Sequence, residues 1–152
     1  MKVIFLDIDG VLVNRASLFQ RSGGTSTASP GCISALNRII SSTGAEVVIS
    51  SSWRLDMTMA ELRRKLRSWG VRGRLYDKTP FMRSTPRSGE IQAWIEAQQQ
   101  RKGPIESFVI LDDETSMDGL AAQLVTTLFD DGLTEQDADH AIAILAKASP
   151  GY

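Results

Sequence analysis

Asp7 and Asp9 stand one residue apart at the end of the apolar run Val3-Ile4-Phe5-Leu6, and Gly10 follows them. Two acids at that spacing suit a divalent cation and phosphate chemistry, and the glycine permits a tight turn. An ordinary Asp-Gly turn after a strand would use the same residues. Two more polar sets end apolar runs in the same manner. Ser50 and Ser51 close Val47-Val48-Ile49, and Asp112 and Asp113 close Phe108-Val109-Ile110-Leu111. If the three runs are adjacent parallel strands, these groups converge on one rim. Carboxylates gathered there repel one another unless a cation compensates. Mg²⁺ meets that need, since it takes hard oxygen ligands and keeps waters for a substrate phosphate. The serine hydroxyls suit phosphate oxygens.

The elements that must position these groups are legible as alternating patterns. Short runs rich in β-branched and aromatic residues predict strands at 3–6, 46–49 and 108–111. A short strand at 74–76 and a further one at 124–129 complete the set. Ser29-Pro30 predicts a helix start, with Ile33, Leu36, Ile39 and Ile40 at helical spacing and Gly44 as its end. Thr58 and Glu61 form a capping-box pattern for a helix reaching about Trp69. Ser88 or a neighbour caps a helix bearing Ile91, Trp94 and Ile95, a short helix spans about 117–122, and the last begins at Thr134. The stretch 79–87 contains Pro80 and Pro86 and should be irregular. The Ser/Thr/Gly-rich segment 22–29 reads as a loop or flap. Strand–helix alternation implies an α/β domain with a parallel sheet and right-handed crossovers, one domain over residues 1–152.

Composition narrows the setting. The net charge is −1, and Cys32 is the only cysteine, which excludes an internal disulfide and a multi-cysteine zinc site. A reducing, cytoplasmic location is expected. The N-terminal apolar run is too short for a signal peptide, and no stretch approaches a membrane span. Charge is uneven, however. Residues 54–87 carry ten cationic and three acidic side chains. That surface favours anionic partners, nucleic acid among them, although Arg63, Arg64, Lys65 and Arg67 would equally form a solvated helix face. His140 lies far from every motif and reads as an ordinary helix residue. Cys32, Trp69 and Trp94 read as core. Trp53 and Arg54 follow the serines, and Trp53 is placed either to stack on a substrate base or to pack.

The ordered set is more specific than its parts. Asp-x-Asp-Gly-Val after a first strand, a serine after a second, a basic residue before a helix, and Asp-Asp after a later strand resemble the haloacid dehalogenase superfamily. The segments Val47 to Arg54 and Arg87 to Ile95 also resemble the small dehalogenase-like domains associated with RNA repair proteins.

This resemblance implies a three-layer, Rossmann-like parallel sheet of order 5-4-1-2-3 without a separate cap domain. It implies a Mg²⁺-dependent phosphomonoester hydrolase that works through an aspartyl-phosphate. Asp7 would be the nucleophile and a metal ligand. Asp9 would be the general acid and base, with its backbone carbonyl on the metal. Ser50, or else Ser51, would bind phosphate. Arg87 best matches the basic position, 25 residues before Asp112, with Lys78 and Arg83 as competitors. Asp113 would bind the metal directly, Asp112 would sit beside it, and Asp118 would reach the outer shell or cap the next helix. Trp53 and Arg54 would meet the substrate. An open site favours a large phosphorylated substrate, such as a polynucleotide end or a phosphoprotein. Two other classes compete. A signalling receiver domain needs its phosphoacceptor after the third strand, which Asp112-Asp113 does not match. A non-catalytic binding relative would not need both Asp7 and Asp9.

Overall fold

The computed structural model describes residues 1–20 and 26–149. Its strands are β1 (Lys2–Leu6), β2 (Glu46–Ile49), β3 (Leu75–Lys78), β4 (Ser107–Asp112) and β5 (Leu124–Thr126). They form one parallel sheet in the order β3-β2-β1-β4-β5. This is the 5-4-1-2-3 order read from the other edge, with β1 at the centre. The helices are α1 (Arg15–Phe19), α2 (Pro30–Thr43), α3 (Trp53–Asp56), α4 (Met59–Ser68), α5 (Arg87–Lys102) and α6 (Glu135–Leu145).

Side-chain alternation along the strands builds two cores. Ile4 and Leu6 of β1, Val47 and Ile49 of β2, and Val109 and Leu111 of β4 face α2, α4 and α6. Val3, Phe5, Val48, Phe108 and Ile110 face the other way, onto Ile91, Trp94 and Ile95 of α5. Phe5 meets Trp94 edge-on, with centroids 5.4 Å apart. Every residue of β4 is buried, as expected of a strand covered on both faces.

Several local expectations needed correction. The helix placed near 117–122 is only a 3-10 turn at Ala121–Gln123. The last strand stops at Thr126, leaving Leu128 and Phe129 exposed. Pro86, not Ser88, occupies the N-cap of α5, so Arg87 is its first residue and Ser88 is buried within it. The third strand runs two residues further than 74–76 suggests, ending at Lys78. Trp94 is core, whereas Trp69 is only half-buried beside Trp53. No helix among the described residues is long and apolar enough to cross a membrane.

Candidate active site

Parallel pairing brings the three strand ends to one rim. Leu6 of β1 is in register with Ile49 of β2 and with Leu111 of β4. The next backbone groups continue the ladder: Asp7 N donates to Leu111 O (3.0 Å), and Ser50 N donates to Leu6 O (2.8 Å). Asp7, Ser50 and Asp112 are therefore neighbours at the C-terminal edge of a parallel sheet, where such folds bind ligands.

Asp7, Asp112 and Asp113 each offer a carboxylate oxygen, and these oxygens lie within 4.8 Å of one another. Asp7 and Asp112 are buried, while Asp113 is exposed. Arg87 enters from the first turn of α5. Its Nη1 reaches Asp7 Oδ2 at 3.2 Å and donates to Asp112 Oδ2 at 2.7 Å. The other oxygen of Asp112 accepts Glu114 N (3.0 Å), so both of its oxygens are engaged. Asp7 Oδ1 accepts Ile8 N at 2.9 Å.

The electrostatics follow from this crowding. Burial and then the Asp112 charge push Asp7 up to about 7, against the lowering pull of Arg87 and the Ile8 N–H. Asp113 is also raised, by burial and by its bond to and charge repulsion from Asp112. Burial opposes the Arg87 charge, but Asp7 and Asp112 more than offset it, and its pKa lies above the ordinary arginine value. Among the described residues, three carboxylates thus face one guanidinium.

Gly10 makes the close approach possible. It has φ +81°, and a Cβ there would fall 2.5 Å from Asp113 Oδ2. The Gly10 carbonyl accepts Thr127 Oγ1 at 2.7 Å, which ties the turn after β1 to the end of β5.

The two serines differ. Both are buried, but the Ser50 hydroxyl has no hydrogen-bond partner among the described residues, whereas Ser51 Oγ accepts Trp53 N at 3.2 Å. An unpartnered buried hydroxyl is costly unless something else satisfies it.

The basic competitors separate as well. Lys78 Nζ donates to the carbonyls of Arg54 and Met57 (3.2 and 3.3 Å), closing the end of α3. Arg83 is exposed and outside the cluster, as is Asp118. Of the three candidates, Arg87 is the one that reaches the acids.

Arg54, expected to meet substrate, does not face the rim. It is buried, with Nη2 on Glu90 Oε1 (2.9 Å), Nε on Thr79 O (3.0 Å) and Nη1 on Ser51 O (2.8 Å). Trp53 does reach the rim, but through its indole N–H, which donates to Asp9 Oδ2 at 2.9 Å. Asp9 itself is exposed. Glu90 and Thr127 escaped the sequence reading. The Glu90 position, three residues after Arg87 in one helix turn, was the available signal. Part of the loop expected at 22–29 lies outside the described residues. Cys32 is buried, with its thiol pushed up by burial, and His140 is exposed.

The family model for the HAD domain in Swiss Army Knife RNA repair proteins matches residues 3–138. The chain belongs to this family. Its match begins at β1 and runs into α6, so it covers every group of the cluster in this HAD domain. Membership supports phosphohydrolase-type chemistry, and the acidic cluster is compatible with it. No curated protein and no solved structure matches the chain.

Proposed function

We propose that this HAD domain is a Mg²⁺-dependent phosphomonoester hydrolase that acts through an aspartyl-phosphate on Asp7. The observation that carries the reading is the junction, among the described residues, of a three-carboxylate cluster, a single arginine and a serine hydroxyl without a hydrogen-bond partner on one sheet edge. Among the described residues these three carboxylates share only the Arg87 guanidinium as a cation, and the donors are all hard oxygens, which fits Mg²⁺. Asp7 and Asp113, with the Asp9 carbonyl and Asp112 alongside, would hold the ion. When bound, it supplies charge compensation for the carboxylates and for phosphate oxygens.

The chain's own groups then divide the work. An Asp7 oxygen attacks phosphorus as the ester bond breaks. Asp9 protonates the departing oxygen and later takes a proton from the water that hydrolyses the aspartyl-phosphate. Arg87 holds Asp7 in place and offers positive charge to the phosphoryl group as it transfers. Ser50 donates its hydroxyl to a phosphate oxygen, satisfying a group that has no partner among the described residues.

The substrate reading is a phosphorylated polynucleotide end. It is supported by the RNA repair context of the family and by an uncovered basic surface. Arg64, Arg67, Arg72 and Arg74 are exposed, and none forms an ion pair among the described residues. Such a surface suits a phosphodiester backbone. No additional folded unit stands over the rim among the described residues, which leaves room for a large substrate. The single buried thiol fits a cytoplasmic, reducing location.

The test is hydrolysis of an aryl phosphate and of 3′- and 5′-phosphorylated oligonucleotides, with and without Mg²⁺, by the wild-type chain and by Asp7→Asn. Mg²⁺-dependent turnover lost in Asp7→Asn is expected. Oligonucleotide binding without turnover of any substrate would instead favour a binding module. Turnover of phosphopeptides but not of oligonucleotides would overturn the substrate reading alone.

A further inference from the structure

An exposed carboxylate at the edge of a sheet ordinarily samples several rotamers. Asp9 is exposed, yet one of its oxygens is held. Trp53 Nε1 donates to Oδ2 at 2.9 Å, while Oδ1 has no hydrogen bond among the described residues. The indole is itself braced. Its backbone N–H donates to Ser51 Oγ at 3.2 Å, and its ring meets Trp69 edge-on at 5.5 Å between centroids. Trp69 in turn lies under the Lys65 ammonium, 5.8 Å from its ring centroid. A partly buried aromatic layer between α3 and α4 thus sets the direction of one rim carboxylate.

We infer that Trp53 is the positioning residue of Asp9. Its N–H occupies Oδ2 and leaves Oδ1 as the oxygen that gives and takes the proton. This role rests on the phosphatase reading above. In the first step an Asp7 oxygen forms a bond to phosphorus and the ester P–O bond breaks. The bonding pair stays on the leaving oxygen, which takes the proton from Asp9 Oδ1. In the second step a water oxygen bonds to phosphorus and its proton passes to Oδ1. The bond from phosphorus to Asp7 breaks, releasing phosphate and restoring both acids. A donor fixed on Oδ2 keeps Oδ1 facing the reacting oxygen in both steps.

Trp53→Phe removes the N–H and keeps a ring against Trp69. The informative quantity is kcat/KM in Mg²⁺ across aryl phosphates of increasingly poor leaving groups and an alkyl phosphate. Poor leaving groups need the proton most, so a fall of about tenfold is expected for the alkyl phosphate and of less than about twofold for the best aryl phosphate. Trp53→His, which restores a ring N–H, should recover part of the alkyl rate. In an Asp9→Asn background, adding Trp53→Phe should cost nothing further, because the two act as one unit. A uniform fall across all leaving groups, or an added loss in the Asp9→Asn background, would mean a packing role and overturn the proposal. If the wild type turns over the series and Trp53→Phe keeps its leaving-group profile, the Trp53 role fails while the phosphatase reading stands. If the wild type turns over none of the series, the reading itself fails and the role with it.

Discussion

Two sets of charged side chains lie side by side at the C-terminal edge of this sheet, and they are built on opposite terms. The Arg54–Glu90 pair is closed. Its guanidinium donates to Glu90 and to the carbonyls of Ser51, Thr79 and Pro80, while the second Glu90 oxygen accepts Met82 N at 2.9 Å. Charge balances, and both groups have their partners. The Asp7–Asp112–Asp113 set is open. Among the described residues three acids share one arginine, Asp7 is driven up towards 7, and the neighbouring Ser50 hydroxyl has no partner. The closed pair ties the segment after β2 to the first turn of α5 and to the loop before it. In doing so it sets where Arg87, three residues from Glu90, enters the open set. A saturated polar network holds a fold together, and an unsaturated one beside it has capacity left for a ligand.

Substitutions should separate the two sets most sharply where they are most different. Asp7→Asn should lower turnover by about a thousandfold or more while the thermal midpoint is kept or rises, since one of three crowded charges is removed. Arg54→Ala should do the reverse first. It strands Glu90 without its partner, and a loss of about 3–5 kcal/mol in denaturant unfolding is expected. An Arg54→Ala protein of unchanged stability would break the distinction.

The serines refine it. Ser50→Ala should reduce kcat/KM by about ten- to a hundredfold with little change in unfolding, because the hydroxyl serves only the bound phosphate. Ser51→Ala should cost about 1 kcal/mol of stability through the lost contact with Trp53 N, with a smaller kinetic effect.

The subtlest separation is by pH. Asp7 has a folded pKa of about 7 against an ordinary 3.8, so the metal-free fold gains stability from its protonation at acid pH. That gain is complete below the ordinary value and is lost as pH rises through about 7. Mg²⁺ competes with this proton, so its stabilising effect on the thermal midpoint should be small near about pH 5 and larger near about pH 8. Asp7→Asn should flatten both trends, whereas a charge-neutral change in the closed pair should leave them intact.

The same contrast explains what could be read from sequence. The open set was legible because each of its acids and serines directly follows an apolar strand, and the backbone ladder alone carries Asp7, Ser50 and Asp112 to one edge. Sheet order followed from the resemblance and holds in the structure. The closed set was not legible, because strand endings say where a residue is and not which way a long side chain turns. Trp53 and Arg54 both sit at the rim in sequence, yet one bends onto Asp9 and the other passes beneath into the fold. Choosing among Lys78, Arg83 and Arg87 had the same difficulty, since only the path of the loop at 79–86 decides which cation meets the acids. The one-turn helices α1 and α3 are too short to leave a periodic signature. Their caps, such as the Asn14–Ser17 box, are visible only when the turn is known to be there.

The central claim is that phosphorus passes through Asp7. Rapid acid quenching of the chain during turnover of an aryl phosphate in Mg²⁺, followed by peptide mass analysis, tests it most directly. A transient phosphoryl group on the peptide containing Asp7, absent from Asp7→Asn, is the expected result. Phosphate release at the wild-type rate with no phosphoryl group on that peptide, or a full yield of phosphorylated peptide from Asp7→Asn, would contradict it.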